Sequence, residues 1–282
     1  MASSILGKIS KERTISAVVI VLVALAAILP GGIILAAVLY VVSIIGYLEL
    51  TKACGVRKGE KRNGLEITGI AAITCYYPVI YLVEDTSYAV MVIVLSMMAM
   101  MSVYVFAYPR FHADQVMAAY FSLIYAPVML SFVFLTRQLD NGIYLVWMIF
   151  ISSWISDTFA YLTGVMFGRH KLAPVLSPKK SVEGAVGGIA GAALTGALFG
   201  VLFRSAFEIE QIVLILTVVG GAGSVISQVG DLAASAIKRN HEIKDYGKLI
   251  PGHGGIMDRF DSVIFTAPIT YFLIILLMGG HG

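Results

Sequence analysis

The stretch EQIVLILTVVGGAGSVISQVGDLAASAIKRNHEIKDYGKLIPGHGGIMDRFD, residues 210–261, decides how this chain folds. Its first part, 210–237, is apolar over a length that crosses a bilayer, for which roughly 20 residues of helix suffice. Ser224, Gln228, Asp231, Ser235 and Lys238 interrupt it at intervals of four, three, four and three. That spacing draws one polar stripe along a helix whose other positions are mostly Val, Ile, Leu and Ala. Lipid cannot satisfy such a stripe, so it faces protein or water. Polar glue between helices is the plainer alternative, but glue rarely carries both an acid and a base. The stripe runs into 238–261, where Lys238, Arg239, Lys244, Asp245, Lys248, His253, Asp258, Arg259 and Asp261 crowd beside hydrocarbon. Cations that suit phosphate and carboxylates that suit a divalent metal are interleaved there.

The rest of the chain has the same character. It is 282 residues long, 59% hydrophobic and 13% charged, with a mean hydropathy of +0.88. Soluble domains carry about 25% charged residues, which excludes an ordinary soluble protein. Nine spans are expected, at 14–29, 31–50, 66–84, 88–107, 113–135, 142–167, 184–204, 210–237 and 261–279. The fold class is therefore an all-α integral membrane protein of about nine transmembrane helices. The first two spans form a tight hairpin around Pro30-Gly31-Gly32. Because the polar intervals are too short for a soluble domain, residues 1–282 read as a single membrane domain. It has an N-terminal half, 1–140, and a catalytic C-terminal half, 141–282. Lys8, Lys11 and Arg13 before the first apolar run suggest a leader, but the many following spans make it an uncleaved helix. Cys54 and Cys75 lack metal-ligand spacing and read as inert thiols.

Loop charge sets the orientation. The segments 8–13, 52–62, 110, 169–180 and 238–259 hold all the Lys and Arg except Arg137 and Arg204. With the N-terminus cytoplasmic, nine alternating spans place every one of those segments inside, as the positive-inside rule requires. Much of this charge is a topology signal and an attraction for anionic lipid. Only the basic residues that coincide with acids and glycines carry a catalytic reading.

Buried polarity concentrates in the C-terminal half. Ser153, Asp157, Tyr161 and Gly164 share one face of span 142–167. An acid within a span faces a cavity, a metal or a structural partner. Pro251-Gly252-His253-Gly254-Gly255 leaves backbone N–H groups open to an anion. Asp258 and Asp261 lie three residues apart and share a helical face if the last span starts there. With Asp231 they form a credible hard-cation site; singly, each acid fits an ion pair with Lys238, Arg239 or Arg259. No Cys/His cluster supports zinc. In 168–184, Ser177-Pro178-Lys179-Lys180-Ser181 offers two ammonium groups and two hydroxyls on a proline-stiffened turn, with Glu183 opening the next span. Lysine pairs in such loops are also plain topology determinants. No GxxxxGK[ST] loop or GxSxG elbow occurs. The inventory fits phosphoryl or nucleotidyl transfer by positioning and electrostatics, at the cytoplasmic side of the C-terminal half.

Ser235, Ile237, Lys238-Arg239, Lys244-Asp245, Gly247, Ile250-Pro251, His253-Gly254-Gly255, Asp258-Arg259 and Asp261 resemble, at every spacing, the signature of the phosphatidate cytidylyltransferases, or CDP-diacylglycerol synthases. Ser177–Gly184 is similar to that family's second motif, with Ser181 where threonine is common and Val182 where an aromatic is common. Asp157 lies in a segment similar to a third. The N-terminal half is similar in hydropathy and at positions such as Arg13 and Glu49. The resemblance implies magnesium-dependent formation of CDP-diacylglycerol and pyrophosphate from CTP and phosphatidate. It implies Asp231, Asp258 and Asp261 as metal ligands, and Lys238, Arg239, Arg259, Ser177, Lys179 and Lys180 on phosphates. His253, Gly254 and Gly255 would line the triphosphate, and Lys244 and Asp245 would form a closing ion pair or touch substrate. Asp157 would hold a second cation or orient a lysine. Ser181 and Glu183 complete the substrate-binding set. The partners implied are CTP, phosphatidate and membrane lipid, without nucleic acid, and the resemblance is compatible with a homodimer. Two rivals stand beside it. An ion-coupled transporter would spread polar residues through both halves. A membrane lipid kinase would share the chemistry, whereas the aspartate pattern of CDP-alcohol phosphotransferases is absent.

Overall fold

The computed structural model describes residues 16, 18–57, 59, 61–83, 85–250 and 254–279. Nine apolar helices follow one another among them: α1 (Val18–Ile28), α2 (Gly32–Ala53), α3 (Gly64–Leu82), α4 (Thr86–Phe106), α5 (Ala113–Gln138), α6 (Gly142–Phe167), α7 (Val182–Leu202), α8 (Ile212–Asn240) and α9 (Met257–Met278). The eight from α2 onward are long and apolar enough to cross a membrane. The chain is thus an all-α multi-pass membrane protein. Of the first expected span, 14–29, residues 14, 15 and 17 lie outside the described residues, and α1 covers Val18–Ile28.

Local sequence explains the boundaries. Gly31 and Gly32 adopt φ of 64° and 49°, a left-handed geometry that glycine enters without strain, and this turns the chain from α1 into α2. Asn63 and Glu66 close a reciprocal capping box at the start of α3, and the Asp85 carboxylate accepts from Ser87 N at 2.8 Å before α4. Pro127 lies in a widened turn, Ile124–Val128, within α5, the adjustment a missing N–H invites. A second widened turn occupies Ile151–Ile155 in α6.

Two compact units divide the chain: residues 1–131 with 240–259, and residues 132–239 with 260–282. In the first unit, buried hydroxyls join the helices. Ser43 meets Tyr77 at 2.6 Å and Tyr76 meets Ser131 at 3.0 Å. Glu66, fully buried, accepts from Thr51 at 3.1 Å and faces Arg57 at 3.6 Å. The segment 240–259, read from sequence as part of the C-terminal half, belongs to this unit.

The second unit is built around α7. Gly184, Gly188, Ala192, Gly196 and Gly200 recur every four residues, and all are buried. A Cβ on Gly184 would stand 2.7 Å from the Ala160 carbonyl, and one on Gly188 would stand 2.9 Å from that of Ser156. α6 therefore lies backbone to backbone on α7. Further along, a Cβ on Gly200 would meet Val213 Cα of α8 at 2.9 Å. Helices have little hydrophobic reason to associate in lipid, so close van der Waals approach over small residues supplies the attraction. An apolar cluster of Leu145, Met148, Leu216, Val219 and Ile274 completes this core.

One element departs from the sequence reading. The 168–184 segment is not simply a turn but a short antiparallel hairpin, β1 (Lys171–Ala173) with β2 (Ser177–Ser181), paired Lys171 to Ser181 and Ala173 to Ser177. Pro178 is tolerated because a two-stranded ribbon leaves outer N–H positions unpaired.

Candidate active site

The second unit contains a cleft of about 530 Å³. Its walls are Asp157, Tyr161 and Gly164 of α6, Ser177, Lys179, Lys180 and Ser181 of β2, Gly184 and Ala185 of α7, and Gln228 and Asp231 of α8. The sequence-predicted polar face of α6 and the SPKKS run thus open onto one space. Lys180 forms an ion pair with Asp231 there. Asp157 lies within electrostatic reach of both. Asp261 of α9 is in turn coupled to Asp231, Lys238 and Asp157, and its Oδ1 accepts from Ser262 N at 2.8 Å.

The α8 stripe divides along its length. Ser224 and Gln228 are buried; Ser224 Oγ meets Ser156 Oγ at 2.6 Å and Gln228 Nε2 donates to the Ala185 carbonyl at 3.1 Å. Both serve as interhelical glue, the plainer of the readings made from sequence, and Gln228 also lines the cleft. Asp231, one helical step further, enters the cleft. Ser153 is also structural, with its Oγ bonded to the Ile149 carbonyl at 2.8 Å.

The hairpin is held by its own carboxylate. Glu183, in the first turn of α7, accepts from Arg169 N at 3.0 Å, from His170 N at 3.2 Å and from His170 Nδ1 at 2.6 Å. Ser181 caps α7, accepting from Gly184 N at 3.1 Å. Both residues fix the ribbon that presents Ser177, Lys179 and Lys180; Lys179 is exposed and Lys180 is half-buried.

In the first unit, two carboxylates hold the backbone of Tyr246 and of residues 255–257. Asp258, buried in the first turn of α9, accepts through Oδ2 from Tyr246 N at 2.8 Å and Gly255 N at 3.0 Å. Glu49 of α2 accepts from Ile256 N at 3.2 Å and Met257 N at 2.9 Å. Gly254 sits at φ 83°, with Asp258 and Asp245 beside it. Lys244 and Asp245 are both exposed, and among the described residues no ion pair joins them. Arg259 is half-buried, and among the described residues its Nε has no hydrogen-bond partner. Lys238 is half-buried and Arg239 exposed. His253, expected to line a triphosphate, lies outside the described residues. Because α9 starts at Met257, Asp258 and Asp261 do share one helix, three residues apart.

Among the described residues, no three His, Cys, Asp or Glu side chains are gathered as a ready metal centre. The acids of the second unit, Asp157, Asp231 and Asp261, nevertheless offer oxygen alone. Such a set fits a hard cation like magnesium, which needs few carboxylates because water and substrate phosphates complete its shell. Glu49 is the functional candidate that sequence reasoning passed over, noted only as a shared position; its one signal was an acid near the end of an apolar span.

Comparison with known proteins agrees with this chemistry. The model of a family described as the cytidylyltransferase family matches residues 11–277. A phosphatidate cytidylyltransferase of Staphylococcus epidermidis is 32% identical over 94% of this chain and 99% of its own length. Those of Staphylococcus saprophyticus and Staphylococcus aureus are 33% and 31% identical over the same shares. With a match from near one end to near the other, and the acids and lysines of the cleft among the matched residues, this chain belongs to the cytidylyltransferase family.

Proposed function

We propose that this protein transfers the cytidylyl group of CTP to phosphatidate, giving CDP-diacylglycerol and pyrophosphate. The observation that carries the reading is the cleft of the second unit, where the lysines of β2 meet the carboxylates of α6 and α8. Its two charge classes are those that nucleotidyl transfer between phosphates requires.

A phosphatidate phosphate oxygen attacks the α-phosphorus of CTP; a new P–O bond forms as the bond to pyrophosphate breaks. No protein nucleophile is needed, because the attacking oxygen is the lipid's own phosphate. Lys179 and Lys180, with the Ser177 hydroxyl, hold phosphate oxygens on the ribbon that Glu183 braces. The Lys180–Asp231 pair keeps both charges compensated until a phosphate competes for the ammonium. Of the acids that the resemblance implied for magnesium, Asp231 and Asp261, with Asp157 beside them, would hold it from the second unit, while Asp258 belongs to the first unit and is bonded there to backbone. When bound, that ion neutralises charge on the phosphates and the leaving pyrophosphate. In the first unit, Asp258 holds the backbone of Tyr246 and Gly255, and Arg259 offers a cation to phosphate.

The protein would act as a multi-pass protein of the bacterial plasma membrane, with its N-terminus and cleft on the cytoplasmic side. Purified protein given CTP, phosphatidate and magnesium should release CDP-diacylglycerol and pyrophosphate in equal amounts. Turnover of CDP-diacylglycerol with an alcohol, and none of CTP with phosphatidate, would overturn the proposal.

A further inference from the structure

Glu49 spends its carboxylate on backbone more than two hundred residues away. Its two oxygens take the N–H groups of Ile256 and Met257, at separations of 207 and 208 residues. These lie at the start of α9, where a helix leaves its N–H groups without partners and favours a negative charge. The same carboxylate packs on two glycines, Gly247 and Gly255, where any Cβ would collide with it. From the other side Asp258 takes Tyr246 N and Gly255 N. Two like charges, coupled to each other, thus grip one short segment through four backbone donors. All of these residues belong to the first unit.

We infer that Glu49 is a positioning residue for the reaction proposed above: it fixes Gly247 and the backbone of residues 255–257 and so sets Arg259, at the start of the same helix, toward a phosphate of the nucleotide. The inference rests on that reading of function. It concerns CTP and not phosphatidate, because the segment is polar and lies between spans, where a soluble nucleotide reaches it.

The test uses full-length protein in detergent or nanodiscs, with Glu49→Gln, Glu49→Asp and Glu49→Ala. Glu49→Gln should lower kcat/KM for CTP by about tenfold or more, as expected for one lost charge-assisted contact, with KM for phosphatidate unchanged. Glu49→Asp, which keeps the charge, should recover part of the loss. Hydrogen exchange should quicken in peptides covering 245–258 and nowhere else. Gly247→Ala should harm wild type but add little to Glu49→Ala, since the colliding group is gone. Wild-type kinetics and exchange in Glu49→Gln would overturn the inference, as would exchange that quickens throughout the protein. If wild type itself forms no CDP-diacylglycerol, the functional reading falls. The exchange and the Gly247–Glu49 coupling, read by thermal unfolding, then still decide whether Glu49 orders this segment.

Discussion

Asp231 and Asp258 are both acids of the signature segment or its approach, yet they are held in opposite ways. The Asp231 side chain is 30% exposed and its partner Lys180 is 26% exposed, and pairs in such settings stabilise by about 0–1 kcal/mol. Asp231→Asn should therefore leave the unfolding midpoint within a few degrees, while lowering kcat by about 100-fold or more, the scale of losing one preorganised charge contact. A variant within a fewfold of wild type would remove Asp231 from the reaction. Asp258 is 6% exposed and satisfies two backbone donors. Asp258→Asn should cost about 1–3 kcal/mol of stability as well as activity, visible as a lowered midpoint in a thermal melt. At this scale the sequence was legible in residue type and spacing. What it could not divide was the α8 stripe. Ser224 and Gln228 became glue because Ser156 and the Ala185 carbonyl happen to reach them. Asp231, on the same face, escaped because β2 brings Lys180 instead.

At the scale of elements, span length alone located the helices, since a bilayer permits little else. The hairpin was missed because Pro178 and two lysines in five residues obscure strand alternation, and its ordering comes from Glu183, outside the strands. Likewise no local pattern announces Glu49, whose partners lie at the far end of the chain. The small-residue stripe of α7 was present in the sequence at intervals of four, but its meaning depends on which helix lies against it. Gly188→Leu should drive a side chain into the Ser156 carbonyl of α6 and destabilise the protein by at least about 1–3 kcal/mol. Leu194→Ala, on the exposed face of the same helix, should shift the midpoint little. Equal midpoints for the two variants would mean that α6 and α7 do not depend on this close approach.

For the whole molecule, the proposed topology counts α1 as a crossing beside the eight long helices, nine in all, with the basic loops and the N-terminus on the cytoplasmic side. Reporter fusions should then find the N-terminus inside and the C-terminus outside; both ends on one side would contradict the count. The chemical event proposed for this molecule is the movement of a cytidylyl group and not of a terminal phosphate. The direct measurement supplies purified protein with phosphatidate, magnesium and CTP labelled at either the α- or the γ-phosphorus. Label from the α position should enter the lipid, with γ label recovered only as pyrophosphate. Label from the γ position in the lipid would make the protein a kinase and contradict the account.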